Sequence, residues 1–134
     1  MWHYFFETLP NFLLYFVVSI LLLAAYAFAY VKVTPHQELA LIKDGNTAAA
    51  VSLGGALIGF AIPMSTVIKF SVSISDMILW GVIVLLVQLA AFFIARLYLG
   101  QLDKRIERND NAAGIFVAMI SVAVGILNSG CMTP

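Results

Sequence analysis

The sequence predicts an all-α membrane protein: one membrane domain of four transmembrane helices, arranged as two parallel two-helix repeats. Three observations predict it. First, the 134-residue chain is 63% hydrophobic and only 10% charged, whereas a soluble domain carries about 25% charged residues. That leaves too little charge to coat a soluble core. Second, four stretches of roughly twenty apolar or small residues, each long enough to span a bilayer as a helix, follow one another along the chain. Third, two of these stretches correspond. NTAAAVSLGGALIGFAIPMST begins at Asn46 and DNAAGIFVAMISVAVGILNSG at Asp110, an offset of 64 (110 less 46). In that register Ala48 and Ala49 fall on Ala112 and Ala113, Gly54 on Ala118, Ala61 on Gly125 and Ser65 on Ser129. Ile42 and Lys32 fall on Ile106 and Arg96. The first repeat covers about 12–68 and the second about 77–132.

Residues 1–11 contain no Lys or Arg, so they lack the positive start of a secretory signal. Their aromatic residues Trp2, Tyr4, Phe5 and Phe6 suit headgroup depth. The first span is expected from Phe12 to Val33, with Pro10 or Asn11 opening the helix. Tyr26 and Tyr30 near its far end are expected at the interface. Pro35 stops it, since proline lacks an N–H and restricts its predecessor. The segment from His36 to Gly45 reads as a short amphipathic linker, and Asn46 as the N-cap of the next helix.

The second span, Ala48 to Ile68, is small on two sides. One stripe is Ala48, Ser52, Gly55 and Gly59, the last two forming a GxxxG pair that permits close helix approach. The other is Ala50, Gly54, Ala61 and Ser65. Pro63 is expected to kink the helix or break its regular part. Lys69 to Asp76 alternates polar and apolar side chains and reads as an extended turn. Ser75 or Asp76 then caps the third span, Met77 to about Leu99. Leu102 to Arg108 is a charged linker. The fourth span, Ala112 to Met132, repeats small residues at Gly114, Ala118, Ser121, Gly125 and Ser129, a nearly continuous small face. Close packing is therefore expected through Gly54, Gly55, Gly59, Gly114, Ala118 and Gly125, with spans two and four central.

Six of the seven basic residues, Lys32, Lys43, Arg96, Lys104, Arg105 and Arg108, lie in or beside the two hairpin linkers; Lys69 lies at the other end. Positive charge stays in the cytoplasm, so both termini are expected outside. The halves then run parallel about an axis near the membrane normal.

The strings TPHQELALIKDGNTAAAVSLGGALIGFAIP, WGVIVLLVQLAAFFIARLYL and NAAGIFVAMISVAVGILNSGCMT resemble the YjfL-type bacterial inner-membrane proteins, domain-of-unknown-function family number 350. The resemblance covers nearly the whole chain from Phe12. It implies a small four-span protein of the bacterial cytoplasmic membrane, in a family without an assigned activity or catalytic residues. Relatives carry alanines before the final cysteine where this chain has Ser129 and Gly130; both are small, so close packing is retained.

Polar side chains within the spans are few. Gln88 lies near the centre of span three and Asn128 in the outer part of span four. Each reads either as an interhelical hydrogen bond or as a contact for a substrate or ion. Arg96 and Lys32 are expected to snorkel to inner-leaflet phosphates; the alternative is an Arg96–acid pair at an inner entrance. No carboxylate falls clearly inside a span, which argues against a proton-driven pump.

With zero net charge there is no basic field for nucleic acid. One cysteine, Cys131, excludes an internal disulfide or dithiol pair, and it reads as a buried small hydrophobe. His36 and Glu38 are too few for a metal site, and no cofactor is expected. Enzyme chemistry is not expected either. The expected function is a non-catalytic inner-membrane scaffold or accessory subunit that self-associates as a homo-oligomer in contact with membrane lipids and engages a cytoplasmic protein partner. The alternative is a small channel or transporter with its site between the Gly-rich second and fourth helices.

Overall fold

Each long apolar stretch forms a helix, and each charged linker contains a short one. The computed structural model describes residues 2–33 and 38–132. The helices are α1 (Trp2–Val33), α2 (Glu38–Lys43), α3 (Thr47–Phe70), α4 (Ile74–Leu99), α5 (Leu102–Glu107) and α6 (Asn111–Cys131). Of these, α1, α3, α4 and α6 are long and apolar enough to cross a membrane. Pro35 and His36 lie outside the described residues.

The two linkers fold alike. In the first, the Gly45 N–H bonds to the Ile42 carbonyl and the Asn46 N–H to the Leu41 carbonyl, at 3.0 and 2.9 Å. In the second, Asn109 bonds to Ile106 and Asp110 to Arg105, both at 2.9 Å. These paired bonds form the Schellman helix end, which needs a left-handed residue at its turn. Gly45 has φ +87° and Asn109 φ +60°. The next residue then caps the following helix. Asn46 Oδ1 accepts from the Ala49 N–H at 2.9 Å. Asp110 Oδ1 accepts from Ala112 and Ala113 at 3.1 and 3.4 Å. Both caps are extended, at φ −76°, ψ 104° and φ −77°, ψ 100°.

The largest interhelix contact joins α3 and α6. Ala48 meets Gly114, Gly55 meets Ala118, Gly59 meets Ser121 and Gly125, and Thr66 hydrogen-bonds Ser129 through their hydroxyls. Residue numbers rise together, so the two helices run parallel. The helix α1 lies outside them. Tyr30 reaches Ser52 and Phe92, Tyr26 stacks on Phe60, and Leu22 packs at Gly81. Thus α1 runs antiparallel to α3 and parallel to α4.

Several expectations are corrected. Helix α1 starts at Trp2 and carries Pro10 inside it. Helix α3 runs through Pro63 to Phe70, so Pro63 does not end it. The third span opens at N-cap Ser73, whose side chain accepts from the Asp76 N–H, not at Ser75 or Asp76. Tyr26 and Tyr30 are fully buried instead of interfacial. Their rings fill the gap between α1 and the α3–α4 pair: Tyr26 stacks 4.8 Å from Phe60 and Tyr30 lies edge-on 4.9 Å from Phe92. Cys131 is exposed at the end of α6 rather than buried.

Candidate functional site

The closest helix approach and the most deeply buried polar groups occur together, midway along α3 and α6. Five of the six expected packing residues take part. A Cβ on Gly55 would collide with Ala118, one on Gly59 with the Ser121 carbonyl, one on Gly125 with the Gly59 carbonyl. One on Gly114 would come within 2.5 Å of the Ala48 carbonyl. Side chains this small let two backbones touch, which is how helices associate where lipid supplies no hydrophobic gain. Gly54 is the exception: nothing lies within 4 Å of where its Cβ would stand. It faces away from α6, on the stripe with Ala50, Ala61 and Ser65, all three of which are exposed.

Pro63 contributes to this layer without breaking the helix. It has no N–H, so the Gly59 carbonyl four residues earlier loses its helical donor. That oxygen is turned against Gly125, where a Cα–H is the only group small enough to face it. Such contacts are weak donors that recur at close helix crossings.

Gln88 is fully buried on α4 beside the same layer; a Cβ on Gly59 would come within 3.1 Å of its Oε1. Among the described residues, neither its Oε1 nor its Nε2 has a hydrogen-bond partner, and the same is true of the buried Ser121 Oγ and Tyr26 hydroxyl. Unpaired buried amides and hydroxyls are costly, so a water or a polar ligand is the chemistry this layer would accept. Ser121 and Tyr26 carry no polar-site signal in the sequence. Ser121 reads there as one small residue among many, and Tyr26 as an interfacial ring.

The three polar candidates do not converge. Arg96 is half-buried two turns beyond Gln88 toward the linkers, about 12 Å along α4. Asn128 lies about 10 Å from Ser121 along α6, in the opposite direction; its Nδ2 is buried with no partner among the described residues.

A second polar cluster joins the linkers. Asn46 Nδ2 donates to the carbonyls of Ile106 and Glu107 at 2.8 and 3.4 Å. Asn109 Oδ1 accepts from the Ala48 N–H at 2.9 Å. Each linker thus serves a helix end of the other half. Arg105 Nε donates to Asp110 Oδ2 at 2.8 Å. That bond, with smaller help from the Ala113 and Ala112 N–H groups and against some desolvation, holds the Asp110 carboxyl below the usual carboxylate range. Among the described residues no three His, Cys, Asp or Glu side chains gather as metal ligands.

The match to known proteins spans the same helices. The family model described as Domain of Unknown Function (DUF350) covers residues 4–132. The inner membrane protein YjfL of Escherichia coli K12 is 40% identical over 127 residues, covering 95% of this chain and 96% of its own. The transmembrane protein YshE of Bacillus subtilis is 29% identical over 115 residues, covering 84% of this chain and 86% of its own. No solved structure matches. The chain belongs to the DUF350 family of YjfL-type bacterial inner-membrane proteins, as a multi-pass member with four apolar helices long enough to span.

Proposed function

We propose that this protein is a non-catalytic, self-associating scaffold or accessory subunit of the inner membrane. In this reading it is built from two parallel two-helix repeats, α1–α3 and α4–α6. The matched linkers support the repeat: the same helix end, the same cap and the same backbone angles recur 64 residues apart (46 to 110). Both basic linkers face the cytoplasm and both termini face outside, because six of the seven Lys and Arg side chains sit at the linker end.

The observation that carries self-association is the division of labour on α3. Ala48, Ser52, Gly55 and Gly59 are buried within the bundle, whereas Ala50, Gly54, Ala61 and Ser65 remain uncovered or partly so. Ala61 and Ser65 line a groove of about 360 Å³ with Ser19 and Leu23 of α1. A second copy presenting a helix there gains the same close contact that α6 gains on the first stripe. A closed two-fold dimer is the default arrangement. The cytoplasmic linkers, held to one another by Asn46 and Asn109, form the surface for a protein partner.

Cross-linking tests the face. In a Cys131→Ser background, Gly54→Cys should oxidise to a covalent dimer in membranes, and Ala118→Cys, inside the bundle, should not. Equal yields at both positions would contradict the reading.

One observation favours a second reading, a small channel or transporter: the unpartnered Gln88, Ser121 and Tyr26 groups beside the α3–α6 contact. Gln88→Leu separates the two. A scaffold retains background ion flux in vesicles; a transport protein shows altered flux while its oligomer persists.

A further inference from the structure

We propose that the end of the bundle away from the linkers carries a binding site for a primary alkylammonium group. A cavity of about 180 Å³ opens there, walled by Thr66, Val67 and Phe70 of α3, Asp76 and Trp80 of α4, and Met132 after α6. Among the described residues, Asp76 is the one charged residue in that wall. Its Oδ2 accepts the Val72 N–H at 3.2 Å, and among the described residues no cation pairs with it. Lys69, the nearest basic residue in sequence, lines the α1–α3 groove instead.

The walls specify the ligand. Asp76 and Trp80 are one turn apart and share a helix face. A carboxylate with an indole beside it attracts a cation by charge and by the ring's negative face. Phe70 adds a second ring from α3. Two helices end here, capped at Ser71 and Met132, and helix C-termini carry partial negative charge and carbonyls left without helical donors. The α4 N-terminus also lies at this end and carries partial positive charge, but Asp76 in its first turn offsets it, so the carboxylate and the two C-termini disfavour an anion. A hard metal ion wants several oxygen ligands, and the cavity supplies one carboxylate among apolar and aromatic walls. A primary ammonium has three N–H donors to place. The carboxylate, the carbonyls and the Ser71 hydroxyl, which itself donates to the Val67 carbonyl at 2.5 Å, are the acceptors. Val67 and Met132 accommodate the carbon next to the nitrogen. Trp80 is part-exposed, as suits an indole at headgroup depth. The same ammonium can therefore come from an ethanolamine lipid headgroup or from a free alkylamine.

The test uses the whole chain in detergent with Trp2→Phe, which leaves Trp80 as the only indole. Titration with n-butylamine should change Trp80 emission saturably, and sodium chloride at equal ionic strength should not. Asp76→Asn, checked for folding by circular dichroism, should weaken the titration by about tenfold or more, because a charge-assisted contact is lost. If that variant does not fold, Met132→Lys serves instead; it sets an ammonium at the cavity rim and should abolish the response. No saturable change overturns the site. So does an unchanged titration in a folded Asp76→Asn protein, or tetramethylammonium matching n-butylamine. Nanodiscs separate the sources, both within the proposal. Weaker n-butylamine binding in discs containing phosphatidylethanolamine than in phosphatidylglycerol alone assigns the lipid headgroup; equal binding assigns the free amine.

Discussion

Gly45 and Asn109 occupy the same left-handed position in two equivalent turns, but with different consequences. Glycine adopts φ +87° without a Cβ clash. Asparagine tolerates φ +60° and uses its side chain to hold the Ala48 N–H. Gly45→Ala should therefore cost about 1–2 kcal/mol of thermal stability. Asn109→Gly should lose about 1 kcal/mol despite its easier backbone, because it gives up that hydrogen bond. Asn46→Ala removes both a cap and the tie to α5, and should cost about 1–2 kcal/mol. Asp110 adds a pH dependence that Asn46 lacks. Its folded-state carboxyl is held below its ordinary value of 3.8. Its contribution is complete above that value and is lost as pH falls through the lowered one. Asp110→Asn should flatten this part of the acid-side fall in melting temperature. Identical acid profiles for the two proteins would contradict the Arg105–Asp110 contact. At Gln88 the expected sign is reversed: Gln88→Met should leave stability unchanged or raise it by about 1 kcal/mol, since it removes unpaired buried polar atoms.

Helix α3 shows what a single span can and cannot reveal about its packing. Gly59→Leu should cost about 1–3 kcal/mol or prevent folding, because its side chain must enter the α6 backbone. Gly54→Leu should leave the unfolding temperature of the isolated chain nearly unchanged, because its surroundings are open. The existence of the long helices and the Asn46 cap was legible in sequence, since apolar length and an Asn ahead of it act locally. Which small stripe meets α6 was not, because Gly54 and Gly55 differ only in what lies across from them. Pro63 misled for a related reason. The helical bond it removes is local, but the tight contact of the Gly59 carbonyl with Gly125 lies on another helix. Tyr26 and Tyr30 look interfacial by position; their burial depends on Phe60 and Phe92, far along the chain. Pro10 sits within α1 although proline after Leu9 reads as a start, and the described contacts give no reason for it.

For the whole molecule, orientation and assembly are separate properties with separate tests. With both linkers inside, a cytoplasm-only fluorescent reporter fused after Pro134 should be dark, and an exported enzymatic reporter at the same place active. The reverse pattern would invert the bundle and place the basic linkers outside. Large apolar side chains are exposed along α1 and α4, such as Phe16, Leu21, Leu86 and Ile94, and suit contact with lipid tails. The small stripe on α3 offers lipid little surface but lets another helix come close. The most direct measurement is the mass of the protein released from native lipid, for the unaltered chain and for Gly54→Leu. The unaltered chain should run as a homo-oligomer, most simply a dimer, that becomes a folded monomer when Gly54 is replaced. A monomer from the unaltered chain, or an oligomer that Gly54→Leu leaves intact, would contradict it.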